Sequence, residues 1–343
     1  MKRSGSIGIL VLLFVILVSL PGCRREITPE KFAASLRLEY TLKGHAAAVN
    51  AVAFSPDGKI LASADNDGDI SFWDPGSGER KHTHNFAHTP VYAMAYSPDG
   101  KFLALSGKGQ AAILFDGTNI QSLPTSFIAH QDQILALAWG PNHILATSSC
   151  AEHAPTFGCS QGEAAIWKVE QFGKPPVELK RFNDHADWIN AMACSPNGKW
   201  LLTGGADNMI NIFQAPEWEL VKIMPGHTNR INALAFPKKN SGLAVSAGLD
   251  GAAILWEIPQ GREKQFMKSE GLRFRGMAIS PDGKMIVAGG GGGKIVIWLA
   301  STGAVLKEIP GLEAEVAALS FSPDGNSFAA AMSDNNVLVW TAK

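Results

Sequence analysis

A short turn sequence recurs along the chain and constrains its fold more than any other feature. It has the form Ser-Pro-Asp/Asn-Gly and occupies residues 55–58, 97–100, 195–198, 280–283 and 322–325. Proline presets the backbone angle of the second turn residue, and the Asp or Asn and the Gly favour the turn positions that follow. Alternating apolar residues flank each turn, so each repeat contains a β-hairpin.

An aromatic residue follows each turn proline at a fixed distance and closes a third strand. The interval is 17 residues for Trp73, Phe115, Phe213, Trp298 and Trp340. Two further units have weaker turns and end at Trp167 and Trp256. Seven units of about 42 residues fill 36–343, and units of this kind bury their faces only by stacking on neighbours. The pattern predicts an all-β fold, a seven-bladed β-propeller of four-stranded antiparallel blades.

Polar residues recur within these units at matching positions. The first unit has His45, Ser63, Asp67 and Trp73, the fourth has His185, Thr203, Asp207 and Phe213, and the fifth has His227, Ser246, Asp250 and Trp256. In this order they resemble the motif of the WD-repeat family. The resemblance implies that each set forms a hydrogen-bonded chain tying the strands of one blade together.

Other units depart from this motif. The third has Gln161 at the acidic position, and the sixth has Ala288 and Gly292 in place of the serine and aspartate. We therefore expect a complete network only in the first, fourth and fifth blades, and apolar packing in the rest.

The two ends of the repeat region complement each other. The seventh unit ends at Lys343 without an outer strand, while 37–42 precedes the first unit without a blade of its own. Pairing them covers two exposed strand edges. We predict that the N-terminal strand closes the ring on the last blade.

The N-terminus has the three parts of a secretory signal, namely Lys2 and Arg3, an apolar run over 7–18, and a cleavage region. Leu-Pro-Gly-Cys at its end resembles a bacterial lipoprotein signal, which implies lipidation of Cys23. An ordinary cleaved signal and a retained anchor are the alternatives. The predicted organisation is a signal over 1–22, a tether over 23–35 and the propeller over 36–343, placed in the cell envelope on the periplasmic side of a membrane. For a Gram-negative source this is the outer membrane.

Export permits disulfides. Cys150 and Cys159 flank a short insertion in the third unit, so we expect a disulfide between them. Cys194 stands where other units have a large aromatic residue, which predicts a buried, unreactive thiol.

Three patterns that suggest chemistry have simpler structural explanations. Ser, His and Asp recur in several units at matching spacing, whereas catalysis needs one exposed set. The glycines of 289–293 lack the hydroxyl and the helix of a phosphate loop. His82, His84 and His88 have no acidic or thiol ligand nearby. We expect neither metal nor cofactor, and a net charge of −1 gives no basic field for nucleic acid.

The family resemblance also implies a partner-binding face around the inner strands. Its predicted residues are Tyr92, Trp188, Asn190, Arg230, Asn232, Arg273, Arg275 and Glu315. Trp and Arg are enriched at interface hot spots. We therefore expect a monomeric, non-catalytic scaffold for a protein or peptide, with Trp188 packing within its own loop as the alternative at that position. A propeller enzyme or small-ligand sensor, lactonase-like or sugar-binding, is the second functional hypothesis.

Overall fold

The computed structural model describes residues 27–86, 89–154 and 158–343, which form one short helix and 28 strands. Helix α1 is Pro29–Ser35, and strand β1 is Leu36–Leu42. Thr28 caps the helix by accepting a hydrogen bond from the Lys31 amide at 3.4 Å, and Pro29 occupies the first turn, where no amide hydrogen is required.

The next strands form the first three blades, each given from the inner to the outer strand. Blade 1 consists of β2 Val49–Phe54, β3 Leu61–Asp65, β4 Asp69–Trp73 and β5 Arg80–Asn85. Blade 2 consists of β6 Val91–Tyr96, β7 Phe102–Gly107, β8 Ala111–Asp116 and β9 Thr125–Ile128. Blade 3 consists of β10 Ala136–Trp139, β11 Ile144–His153, β12 Cys159–Lys168 and β13 Val177–His185.

Four more blades follow in the same inner-to-outer order. Blade 4 consists of β14 Ile189–Cys194, β15 Trp200–Gly205, β16 Ile210–Gln214 and β17 Glu219–Met224. Blade 5 consists of β18 Ile231–Ala235, β19 Leu243–Gly248, β20 Ala252–Glu257 and β21 Arg262–Lys268. Blade 6 consists of β22 Arg273–Ile279, β23 Met285–Gly291, β24 Ile295–Leu299 and β25 Val305–Ile309. Blade 7 consists of β26 Val316–Phe321, β27 Ser327–Met332, β28 Val337–Ala342 and β1.

The predicted seven-bladed propeller is therefore confirmed. The inner strands of all seven sheets line a central channel. We call the face that carries the Ser-Pro-Asp/Asn-Gly turns the lower face. We call the opposite face the upper face. It carries the segments that contain His45, His185 and His227. Apolar side chains between neighbouring blades form the core.

Ring closure occurs as predicted. β1 pairs antiparallel with β28, from Leu36 opposite Ala342 to Leu42 opposite Val337. The side chain of Lys343 also reaches Glu39 at 2.5 Å. The N-terminal strand thus supplies the outer strand that the last repeat lacks.

The segment predicted as a tether over 23–35 differs from that expectation in its second half. Residues 29–35 form α1, which packs on the lower face between blades 6 and 7 because Phe32 inserts its ring there with 1% of its surface exposed. The predicted signal over 1–22 and Cys23 lie outside the described residues. Among the described residues, no helix combines the length and hydropathy needed to cross a membrane.

Candidate interaction face

A chain of buried hydrogen bonds braces blade 5. His227 contacts Ser246 Oγ through Nε2 at 2.7 Å and Asp250 Oδ2 through Nδ1 at 2.9 Å, and the Trp256 indole donates to the same Ser246 oxygen at 2.8 Å. One imidazole thus joins the upper loop, the second strand and the turn after it. These are the four residues that the sequence predicts.

Blade 1 has the same network but takes its carboxylate from a different residue. His45 contacts Ser63 at 2.6 Å, and the Trp73 indole donates to Ser63 at 2.8 Å. The carboxylate is that of Asp65, 2.8 Å from His45 Nδ1, so the prediction of Asp67 was wrong.

The reason lies at the end of the second strand. In blade 4, the corresponding position is Gly205, and a Cβ there would approach Asp207 Oδ1 to 2.4 Å. Glycine thus leaves space for the turn carboxylate of Asp207, which bonds His185 at 2.9 Å, while in blade 1 the Asp65 side chain fills that space itself.

The blade 4 network lacks the hydrogen bond that a tryptophan indole donates in blades 1 and 5. His185 contacts Thr203 Oγ1 at 2.7 Å, but the side chain of Phe213 has no N–H group to donate to that oxygen. Instead, Phe213 packs against Phe182, with ring centroids 4.1 Å apart. The predicted residues are in place, although the aromatic one contributes packing rather than a hydrogen bond.

Blade 3 also has a complete network, which corrects the expectation that only three blades do. His130 contacts Thr147 at 2.8 Å and Glu163 at 2.5 Å, and the Trp167 indole donates to Thr147 at 2.9 Å. Glu163, from β12, takes the role expected at Gln161 because the longer hairpin places it beside the histidine. Arg181 extends the network by pairing with Glu163 at 2.6 Å. The spacing from His130 to Thr147 resembled that of the other histidines and could have revealed this set.

The carboxylates in these networks are held in their charged form. Burial alone would raise the pKa of Asp250. The hydrogen bond and charge of His227, together with the amides of Thr228 and Ala252, outweigh burial and lower the pKa below its usual value. The pKa values of Asp65 and Asp207 are lowered by the same balance. For Glu163, burial is outweighed by the hydrogen bonds and charges of His130 and Arg181, which lower its pKa.

Blade 6 is held by apolar packing instead. Trp298 meets Phe274 edge to face with centroids 5.7 Å apart, and both rings are buried. The glycines of 289–293 are packed closely, since a Cβ on Gly290 would lie 1.8 Å from the Arg273 carbonyl oxygen. These glycines permit a close strand approach and do not form a phosphate loop.

A hairpin of blade 3 projects beyond its neighbours on the upper face. β11 and β12 extend past the ring, and Cys150 and Cys159 form a disulfide across them, with the two sulfurs 2.15 Å apart. Cys194 lies at the lower end of β14 and is half-buried rather than fully buried as predicted, and desolvation raises the pKa of its thiol to about 12. It therefore remains protonated at neutral pH.

The predicted arginines lie together on the upper face of blades 5 and 6. Arg230, Arg273 and Arg275 are exposed, and Arg275 pairs with Glu315 of the next blade at 3.3 Å. Within the described residues, Arg230 and Arg273 take part in no ion pair. Two guanidinium groups thus remain available to an outside ligand.

Trp188 is half-buried rather than fully exposed, because the blade 3 hairpin covers one side of it. The ring meets His153 edge-on at 6.0 Å, and His153 contacts Asp132 at 2.9 Å. The sequence alternative of packing within its own loop is thus replaced by packing against the neighbouring blade. The free side of Trp188 remains on the upper face.

The predicted asparagines and Tyr92 lie at the channel rather than on the open face. Asn232 donates to the Phe274 carbonyl at 2.9 Å, and Asn50 donates to the Val91 carbonyl at 3.0 Å, so both tie adjacent blades together. Asn190 lines the channel at the equivalent position, and its amide nitrogen is buried. Tyr92 is half-buried there, and burial raises the pKa of its hydroxyl.

The channel offers little to a small substrate. Its volume is about 210 Å³, and the described residues that line it include Arg275 but no Asp, Glu, His or Cys. Small-molecule sites usually enclose roughly 300–1,000 Å³.

The histidines near the connection from blade 1 to blade 2 do not form a metal site among the described residues. His82 and His84 have ring centroids 4.5 Å apart, but His84 Nε2 is hydrogen-bonded to the Ile120 carbonyl oxygen, and His88 lies outside the described residues. No group of three metal-ligating side chains occurs in the described part of the chain.

A family model described as "WD domain, G-beta repeat" matches the chain over residues 36–74, 79–118, 176–214, 218–257, 269–298 and 303–341. The chain belongs to the WD40 family. The matches leave out most of blade 3, whose extended hairpin and Glu163-based network depart from the WD40 pattern.

Curated WD40-type relatives resemble this chain over part of their length. "Telomerase protein component 1" of Mus musculus is 24% identical over 82% of the chain. "Periodic tryptophan protein 2" of Arabidopsis thaliana is 28% identical over 48%, and "Ribosome biogenesis protein WDR12 homolog" of Drosophila persimilis is 31% identical over 38%. The matches span 10%, 18% and 32% of those proteins, respectively.

Proposed function

We propose that this WD40 protein is a non-catalytic scaffold that binds a protein or peptide on the upper face of blades 4 to 6. The observation that carries the proposal is the group of Trp188, Arg230 and Arg273 on one side of a rigid ring. Trp and Arg dominate binding energy at protein interfaces. The relatives support such a role, since their names describe a telomerase component and a ribosome biogenesis protein.

The charges of this face favour an acidic segment in the partner. Arg230 and Arg273 have no carboxylate partner among the described residues, and a carboxylate from outside can accept paired hydrogen bonds from a guanidinium group. The free side of Trp188 supplies an apolar contact beside them. A ring that changes little on binding loses little conformational entropy, which favours affinity.

The test combines Trp188→Ala with Arg273→Ala and measures crosslinked partners recovered from native membranes. Both side chains are partly exposed, so we expect the fold and melting temperature to be kept and partner recovery to fall at least about tenfold. The matched control is Phe266→Ala with Arg262→Ala, which removes an exposed aromatic residue and an exposed arginine from the outer strand of blade 5. Equal recovery from the two double variants would refute the upper face as the docking site.

We also propose that the chain is exported and anchored at a bacterial membrane through a lipid on Cys23. Residues 24–28 join that cysteine to α1, and five residues extend at most about 18 Å. Because α1 lies on the lower face, such an anchor would direct the upper face away from the membrane. Incorporation of labelled palmitate tests this proposal, which predicts labelling of the native chain and none of Cys23→Ser. Equal labelling of the two would refute it.

A further inference from the structure

Helix α1 shows how the groove between two blades is filled on the lower face. Phe32 packs on Phe321 of blade 7, with ring centroids 6.1 Å apart, and Leu306 of blade 6 packs against the same cluster. Lys307, also from blade 6, donates to the carbonyl oxygens of Ala33 and Leu36 at 2.8 and 3.0 Å. The groove thus holds an aromatic ring and caps the C-terminal end of the helix.

Strand register identifies the counterpart of this groove between blades 3 and 4. Lys307 pairs with the residue before Trp298, and Lys180 pairs with the residue before Trp167. Lys180 is therefore the equivalent of Lys307, and Leu179 is the equivalent of Leu306.

The equivalence between the two grooves extends to their other wall, which blade 4 forms in one groove and blade 7 in the other. Cys194 ends its inner strand at the same register position as Phe321, opposite Leu201 and Phe328, respectively. We define the 3–4 groove by the cavity-lining residues Ile144, Leu179, Cys194, Trp200 and Trp218, together with Lys180, which follows Leu179 on β13.

The 3–4 groove is only partly filled. Trp218 comes directly before the outer strand of blade 4, in the place of Leu36, and its ring is buried. Cys194 is much smaller than Phe321, and a mainly apolar cavity of about 240 Å³ remains beside it. Leu179 is 49% exposed and Lys180 is exposed, whereas Leu306 and Lys307 are partly covered by α1. Among the residues that the structure describes, no segment covers this apolar wall and this cation as α1 covers their equivalents.

We propose that the 3–4 groove binds a short amphipathic helix of another protein. An aromatic side chain of that helix enters the cavity beside Cys194, and its C-terminal carbonyl oxygens accept hydrogen bonds from Lys180. Both contacts reproduce those that α1 makes with blades 6 and 7. A cation near the C-terminus of a helix also has a favourable interaction with the helix dipole. This site is separate from the upper face and does not depend on the function proposed there.

A synthetic peptide with the sequence of residues 27–36 provides the probe. In the full chain α1 occupies its own groove, so added peptide should bind at the 3–4 groove. Binding is followed by anisotropy of labelled peptide, and its position by NMR shifts of the Ile144 and Leu179 methyl groups and the Trp218 indole. We expect saturable binding with shifts at these three residues, and no binding by a peptide with Phe32→Ala.

Variants of the protein separate the two contacts. Lys180→Glu should weaken binding at least about fivefold, since it places a negative charge beside the helix carbonyls. Cys194→Phe should abolish binding by filling the cavity, and Leu179→Ala tests the same wall with a smaller change. Lys264→Glu, an exposed outer-strand lysine of blade 5, is the matched control and should leave binding unchanged.

Several outcomes would overturn the proposal. They are the absence of binding at millimolar peptide, shifts confined to Met285 and Leu306 of the α1 groove, and equal weakening by Lys180→Glu and Lys264→Glu. Dimerisation of the chain through the 3–4 groove would assign the groove to a second copy and would equally refute it.

Discussion

Blades 5 and 6 are neighbours with the same four-stranded topology, yet different forces hold them. In blade 5, His227 joins Ser246, Asp250 and the upper loop through buried hydrogen bonds. In blade 6, Phe274 and Trp298 pack in the corresponding region without such a network. Polar bonds and apolar packing are thus alternative solutions for one blade. The fold depends on the repeated four-stranded unit and on the stacking of neighbouring blades. The hydrogen-bonded network stabilises a single blade, and apolar packing can take its place.

Trp298→Ala in blade 6 should have the largest effect on stability. Removing a fully buried indole costs its transfer free energy and leaves a cavity, about 4 kcal/mol in the free energy of unfolding. Urea denaturation followed by circular dichroism measures it. Val305→Ala, on the exposed outer strand of the same blade, should change stability by less than about 0.5 kcal/mol. Similar values for the two variants would show that packing does not hold blade 6.

His227→Ala in blade 5 should cost about 3 kcal/mol. The substitution leaves the Asp250 carboxylate without its imidazole partner, and breaking a buried pair is expensive for this reason. The same denaturation measurement applies, with the exposed neighbour Thr228→Ala as control. If His227→Ala were as mild as Thr228→Ala, the hydrogen-bonded chain would not be a brace.

The combined change Cys150→Ser and Cys159→Ser tests a third means of stabilisation, a covalent link within one hairpin. Closing a loop of this length restricts the unfolded chain, and its loss should cost about 2 kcal/mol. The unfolding midpoint with and without reductant gives an independent measure in the native chain. A midpoint that reductant leaves unchanged would contradict the expected contribution.

The smallest expected effect is on the pH dependence of the free energy of unfolding. The pKa of Asp250 is lower in the folded chain than in the unfolded one, so its contribution is present above the usual Asp pKa and is lost as the pH falls through the lowered value. Asp250→Asn should therefore reduce the loss of stability between pH 6 and pH 3, whereas Trp298→Ala should retain the wild-type loss. Unfolding curves at the two pH values decide this. Identical acid sensitivity in Asp250→Asn and wild type would contradict it.

The architecture followed from the sequence because the turn proline, the turn glycine and the closing aromatic recur at one interval. Ring closure followed as well, since pairing the single strand before the first unit with the three strands of the last unit covers both exposed edges. The docking of α1 did not follow, because a seven-residue helix has too little periodicity to show which groove receives Phe32.

Within the site, the sequence identified the histidines and hydroxyls of three networks but not all of their carboxylates. Asp65 and Asp67 both follow Ser63 closely, and only the backbone path shows which of them faces His45. Glu163 belongs to a fourth network, in blade 3. It was missed because the insertion in that blade changes the spacing between the hydroxyl residue and the acidic residue. The family resemblance indicated the arginines of the upper face. The partial cover over Trp188 could not be predicted in this way, because it comes from another blade and leaves no local sequence pattern.

The pairing of β1 with β28 has a kinetic consequence. β1 leaves the ribosome well before its partner β28, so the ring closes only after the last repeat is available. Until the two strands pair, β1 and the outer edge of β28 both expose unpaired backbone groups, and contacts of such long sequence separation form slowly. During this interval, β1 of one molecule can pair with the last blade of another, which is the exchange that produces domain-swapped dimers.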